Sequence, residues 1–213
     1  KSNIIKIASL AENAIAESIK SLLEQRKDLA EQVIASDKQI DMYEIVIDNH
    51  VVDLLALQQP VAVDLRFILA ASKINNDLER IGDHAVNIAQ SAIKLADAPF
   101  VTPLIDIPQM AETTQQMLRD AIDGFIHRDA QKARGVLTND DIIDNLNRKV
   151  VADLVALMHK DSATIEQGLD LIRISRNLER VADLTTNIAE QVIFMAEARV
   201  VKHQADKEQE PKK

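Results

Sequence analysis

Between Val61 and Ala96, apolar residues recur at Phe67, Ala71, Ile74, Leu78, Ile81, Ala85, Ile88, Ala92 and Leu95, in alternating steps of four and three. Such steps keep one stripe on one face of an α-helix, and a stripe this regular is the seam of helices packed nearly parallel or antiparallel in a bundle. The spacing therefore predicts a single helix from Val61 to about Ala96, roughly 50 Å long at about 1.5 Å per residue. Two helices are expected before it. Residues 3–25 carry an amphipathic pattern (Ile4, Ile7, Leu10, Ala11, Ala14), and Asp28 reads as the cap of a short continuation through Leu29, Val33 and Ile34. Ser36 and Asp37 then precede a run containing Ile40, Ile47, Val51 and Leu54, which should close before Pro60. Pro99, Pro103 and Pro108 mark a linker, after which the pattern restarts. Met110, Met117, Ala121 and Phe125 supply a fourth helix, Thr138 is expected to cap a fifth carrying Ile143, Leu146, Val150 and Leu157, and Leu171 to Met195 repeat the long stripe.

The restart is a repeat in residues as well as in pattern. Asp77-Leu-Glu-Arg-Ile-Gly-Asp83, with Asn87 beyond it, returns 100 positions later as Asn177-Leu-Glu-Arg-Val-Ala-Asp183 with Asn187. Val51-x-Asp53-Leu54-x-Ala56-Leu57 matches Val151-x-Asp153-Leu154-x-Ala156-Leu157 at the same offset, while Asp37 and Asp41 align with Asp140 and Asp144 at an offset of 103. The expected fold is all-α: two tandem three-helix antiparallel bundles, residues 1–97 and 109–200, joined by a linker over 98–108 and followed by a charged, disordered tail over 201–213. Two units fall short of the three that a solenoid usually needs. Because Lys1 already stands inside a helical pattern, further helical sequence is expected ahead of it.

Composition narrows the function. A net charge of −9 argues against nucleic acid, which is held by clustered Lys and Arg. Aromatic residues at 2%, with no Trp, remove the stacking platforms of single-strand binders. The absence of Cys excludes disulfides, thiolate metal sites and a thiol nucleophile. No apolar run approaches the roughly 18 residues of a membrane span, so a soluble protein is expected, and the lack of Cys fits a reducing cytoplasm without demanding one.

Four carboxylate pairs remain: Asp37 with Asp41, Glu79 with Asp83, Asp140 with Asp144, and Glu179 with Asp183. Each is spaced i, i+4 and so puts two carboxylates one turn apart on one helix face, an arrangement that costs a few tenths of a kcal/mol unless a cation lies between them. With Leu78 and Ile81 in the core, Glu79 and Asp83 fall on the outer face, and Asn87 and Asn187 continue their stripes. A chain with 28% charged residues carries such pairs on solvated faces by chance, and Arg80 and Arg180 can each neutralise the Asp three positions on. Four pairs at matching places in the two halves weaken that reading without removing it. Gly82, in mid-helix, costs roughly 1 kcal/mol against Ala and points to close approach of another backbone.

These residues resemble the PhoU family of phosphate-transport accessory proteins, described by two three-helix bundles with E(D)-x-x-x-D motifs in their second and third helices. The resemblance covers about residues 8–198 and rests on the four pairs together with Leu-Glu-Arg-[Ile/Val]-[Gly/Ala]-Asp occurring twice. It implies a non-catalytic adaptor that damps uptake by the phosphate-specific ABC transporter and holds the phosphate-starvation two-component response off, through contacts with the transporter ATPase and the sensor histidine kinase. It also implies Asp37, Asp41, Glu79, Asp83, Asp140, Asp144, Glu179 and Asp183 as candidate ligands of iron or zinc in multinuclear surface clusters, which some members hold and others have been seen without. Ala182 in place of the family's Gly, and Thr185 where the first half has Ala85, leave the two sites unequal. A homodimer is expected, with Phe100, Phe194 and Met195 as outer apolar residues. The rival readings are a di-iron enzyme, disfavoured because no His has a Glu three residues before it, and a metal-binding or storage protein with no signalling partner.

Overall fold

The computed structural model describes residues 1–201, so all of the expected tail except Val201 lies outside the described residues. Six α-helices follow one another: α1 (Ser2–Leu23), α2 (Lys27–Gln58), α3 (Ala62–Leu95), α4 (Asp106–His127), α5 (Ala130–Lys160) and α6 (Ile165–Glu197), with one 3-10 turn, Ser162–Thr164, before α6. Their lengths of 22, 32 and 34 residues are answered by 22, 31 and 33, so the three-helix unit is repeated element for element. The heptad stripe of α3 is the reason for its length. Its positions from Ala71 to Leu95 are buried, and Phe67, partly buried, stacks on Phe125 at 5.4 Å between ring centres.

Two expected helix breaks do not occur. α2 runs unbroken through Ser36 and Asp37, and α5 through Thr138. The hydroxyls turn back along their own helices, Ser36 donating to the Val33 carbonyl at 2.9 Å and Thr138 to that of Gly135 at 2.8 Å. A residue that caps in one setting is thereby tolerated mid-helix when the buried face continues past it, here through Val33, Ile40 and Ile47 and through Val136, Ile143 and Val150. The cap of α5 is Asp129, whose carboxylate accepts the Lys132 N–H at 3.0 Å. Asp28 is not the N-cap residue; it sits in the first turn of α2, ion-paired with Arg26. α4 starts at Asp106, earlier than expected, with Pro108 in its first turn, where the missing N–H leaves no bond unmade.

The repeat register also differs from the sequence match. Ala30 and Ala133, Val33 and Val136, Ile40 and Ile143, Ile47 and Val150 are buried pairs 103 positions apart, and the left-handed turn residues Gln25 and Arg128 keep that spacing. The likeness of 51–57 to 151–157 is not an equivalence of place, since Leu54 is 44% exposed and Leu154 only 3%. The three-residue difference is absorbed at the turn into the third helix, where the offset becomes 100 (Leu78 and Leu178, Ile88 and Ile188).

The two bundles share one core. α3 packs on α6 and α1 on α4, both antiparallel: Lys94 meets Asp170 at 3.9 Å and His84 meets Asn177 at 2.8 Å, while Lys1 donates to the Ile126 carbonyl at 2.9 Å and Arg119 pairs with Glu12 at 2.7 Å. α2 and α5 flank this four-helix centre, each touching only helices of its own half. Met195 is buried and Phe100 packs against the core, so neither is the outer residue expected, whereas Phe194 is only half-buried. Asp129→Ala should cost about 1 kcal/mol in urea unfolding and Thr138→Ala less than about 0.5 kcal/mol. Equal losses at the two sites would contradict the start assigned to α5.

Candidate functional site

The carboxylate pairs of α2 and α3 face each other across a seam because Ile40, one turn from Asp37 and adjacent to Asp41, drives into the notch at Gly82. A Cβ at Gly82 would lie 2.7 Å from the Ile40 Cδ1 and 3.2 Å from the Asp37 Oδ1. The glycine thus makes room for two side chains of α2, not for a backbone. In the second half Ala182 occupies the matching place, fully buried, opposite the helix that carries Ile143, Asp140 and Asp144.

The seams are not the fully solvated outer faces expected from heptad position. Asp37, Glu79, Asp140, Asp144, Glu179 and Asp183 are half-buried, whereas Asp41 and Asp83 are exposed. Glu79 is pushed up to about 7, first by burial and then by the negative charges of Asp83, Glu44, Asp41 and Asp37. Burial, then Asp41 and Asp83, also raises Asp37. Across the molecule Asp140 is raised to about 6 by burial, then by Asp144, Asp183, Asp141 and Glu179. Glu179 shifts the same way through burial and Asp183, opposed by Arg180. Each pair on a second helix therefore meets the pair on the third helix of its own half, and all eight predicted residues fall into two seams of four.

The first seam extends further than the sequence reading. Glu44 joins it, its proton affinity raised by burial, Asp48 and Asp41, while a bond from Asn76 acts the other way. Asp37, Asp41, Glu44 and Asp48 step by four, three and four, a signal that a search along the heptad would have found. Asn75, fully buried, ties this end of α2 to α3 by donating to the Glu44 carbonyl at 3.0 Å and to Asp48 at 3.1 Å. Other predicted neighbours lie elsewhere. Asn187 bonds Asp77 across α3 and α6, His84 bonds Asn177, and Arg80 pairs with Asp77 at 3.9 Å instead of with Asp83; only Arg180 reaches its own Asp183, at 3.0 Å. Thr185 is buried and its hydroxyl is satisfied by the Val181 carbonyl at 2.8 Å.

Among the described residues, no three His, Asp or Glu side chains are gathered closely enough to hold a metal ion as they stand. The donor chemistry nonetheless fits a cation. The seams offer carboxylate oxygens whose charges repel, and the Asp140 Oδ1 is buried without a hydrogen-bond partner, an acceptor that a metal ion would satisfy.

Two fused three-helix bundles, each with a carboxylate seam between its second and third helices, define an all-α repeat protein whose distinctive chemistry lies on its surface. The sequence profile of the PhoU domain matches this chain twice, over residues 4–92 and 107–192. The chain belongs to the PhoU family. It is 38% identical over 208 residues to the phosphate-specific transport system accessory protein PhoU homolog of Aquifex aeolicus, covering 98% of this chain and 94% of that one, and 30% identical over 203 residues to the Escherichia coli protein PhoU, covering 95% and 84%. The crystal structure of PhoU from Pseudomonas aeruginosa superposes with a TM-score of 0.90 at 34% identity, covering 93% of this chain and 95% of that one. That of the phosphate transport system regulatory protein PhoU from Streptococcus pneumoniae gives 0.88 at 28%, covering 94% and 95%.

A carboxyl group with raised proton affinity holds its proton in the folded state at pH values where the unfolded chain has lost it. Stability therefore falls as pH rises, from the ordinary carboxylate range up to about 6 for Asp140 and about 7 for Glu79. Chelator-treated Glu79→Gln should melt above the parent protein at about pH 8 and lose less stability between about pH 5 and pH 8. A parent melting temperature that climbs over that interval would contradict the buried, like-charged seam.

Proposed function

We propose that this protein is a non-catalytic accessory factor of phosphate homeostasis that acts in the cytoplasm as a homodimer. It restrains uptake by the phosphate-specific ABC transporter and keeps the phosphate-starvation two-component response off. Its partners are the transporter ATPase and the sensor histidine kinase, and it reaches the membrane only through them. Membership of the PhoU family across both halves carries this reading. The physical architecture is in keeping with it: two rigid bundles display charged helix faces, and electrostatic complementarity between such faces governs partner choice and encounter rate. No helix among the described residues is long and apolar enough to cross a membrane.

Iron or zinc belongs to the same proposal. Asp37, Asp41, Glu79 and Asp83 would hold it in one seam, and Asp140, Asp144, Glu179 and Asp183 in the other. When bound, the metal supplies positive charge that relieves the carboxylate repulsion and turns an acidic seam into a docking surface of different sign. The protein's own residues set the seam width through Ile40 and Gly82 and moderate the second seam through Arg180.

Tagged protein captured from phosphate-replete cells should enrich the transporter ATPase or the sensor kinase, as identified by mass spectrometry. Recovery of neither, from folded bait, would remove the adaptor reading and favour a metal-binding protein without such a partner. Zinc or ferrous iron added to the chelated protein should raise its melting temperature and register by elemental analysis. Glu79→Gln/Asp83→Asn/Glu179→Gln/Asp183→Asn should abolish both responses, and unchanged metal content in that variant would show the ligand assignment to be wrong.

A further inference from the structure

On α6, Arg173, Arg176 and Arg180 stand exposed at spacings of three and four, so they project from one helix face. With Ile172, Asn177 and Leu169, the last of them 52% exposed, they line an open groove of about 310 Å³. In a chain of net charge −9 this is a local reversal of sign. The fold does not require it. At the matching places of α3 the chain has Leu69, Ser72, Lys73, Asn76 and Arg80: the exposed leucine is kept, but serine replaces Ile172, a lysine replaces Arg173 and an asparagine replaces Arg176. The neighbouring groove there is lined by the carboxylates of Asp77 and Glu190.

The arginines are poorly committed to their own helix. Arg173 is ion-paired with Asp170, and Arg180 with Asp183 at 3.0 Å and Glu179 at 3.7 Å; in each pair the carboxylate is half-buried while the guanidinium stays exposed, open to water and to a further anionic partner. Arg176 makes no hydrogen bond or ion pair among the described residues and is felt only electrostatically, by Glu179. From Arg173 to Arg180 the helix rises about 10 Å, so the three guanidinium groups spring from a row along the helix, which a row of anionic groups matches better than a single one. Carboxylates one turn apart on another helix, about 5 Å, match that spread, each able to take a guanidinium through paired hydrogen bonds.

We infer that this face of α6 docks an acidic amphipathic helix of a partner protein, its carboxylates on Arg173, Arg176 and Arg180 and its apolar side chains against Leu169 and Ile172. The inference rests on the reading that this chain works by docking to other proteins, and it names where one of them binds. The test uses two probes: a fluorescent synthetic helix with glutamates one turn apart beside a leucine stripe, and the purified transporter ATPase. The peptide should bind the full chain, and Arg173→Glu/Arg176→Glu should weaken it at least about ten-fold, as should raising the salt to about 0.5 M, whereas Lys73→Glu should leave it unchanged. A circular dichroism spectrum and melting temperature matching the parent establish that the double variant is folded. Equal peptide binding by parent and double variant overturns the inference, and so does full displacement of the peptide by millimolar inorganic phosphate, which would make this a site for a single anion. Arginine-dependent peptide binding without ATPase binding upholds the surface and removes that partner. ATPase binding that survives the double substitution, with no peptide binding, upholds the partner and removes the surface.

Discussion

Apolar packing forces like charges together in this protein. Ile40 is buried against Gly82, and Asp37 and Asp41 sit three residues before and one after it, so the isoleucine cannot reach the core without carrying two carboxylates to the edge of α3. Ile143, Asp140 and Asp144 repeat the arrangement against α6. Burying an isoleucine side chain is worth roughly 1.5–3 kcal/mol, whereas an exposed like-charged pair one turn apart costs a few tenths, so the core decides the geometry. Partial burial then makes the charges costlier than they would be in open water. That cost appears as raised proton affinity at Glu79, Asp140, Asp37 and Glu179, and a proton or a cation is the means of relieving it.

Much of this was legible in the chain because heptads report on burial directly. The stripe of α3, the paired motifs and the doubled unit required no tertiary knowledge. What escaped were choices made by neighbours. Ser36 and Thr138 carry the signature of caps, yet the apolar face on either side of each is buried in one continuous interface, and that burial outweighs a local preference that the hydroxyls satisfy anyway by bonding the preceding turn. The outer-face placement of Glu79 took the stripe through Leu78 and Ile81 as the whole of the covered face. In a three-helix bundle a residue next to that stripe borders the neighbouring helix, and α2 lies there. Glu44 and Asp48 were missed because their counterparts in the second half are Asn147 and Val151, so a search for repeated acids passed over them.

The junction between the halves is built differently from the seams. α3 and α6 cross antiparallel through small and aliphatic residues, and their polar contacts are not reciprocal: Asp77 bonds Asn187 on one side, while on the other Asn177 bonds His84 and not Asn87, the residue that matches Asn187. A mostly buried Asp77, its proton affinity raised to about 6 chiefly by burial and offset by Arg80, is an expensive way to join two bundles, since an aliphatic residue would pack without desolvating a charge. Its bond to Asn187 does fix the sliding position of α3 on α6, which a smooth seam of Ala, Ile and Leu leaves weakly determined.

The halves have therefore kept their scaffold and diverged in charge. The first carries four acids along α2 and a glycine that lets Asp37 close on α3; the second has Asn147 bonded to Ser175 where the first has Glu44 and Asn75, and a methyl group at Ala182. Arg180 leans toward its seam while Arg80 turns away toward Asp77, so the second seam is partly neutralised from within and the first is not. Two seams built on one plan but unequal in net charge do not hold protons with equal strength. The first, with more carboxylates and no arginine turned toward it, pushes Glu79 up to about 7, against about 6 for Asp140 in the second.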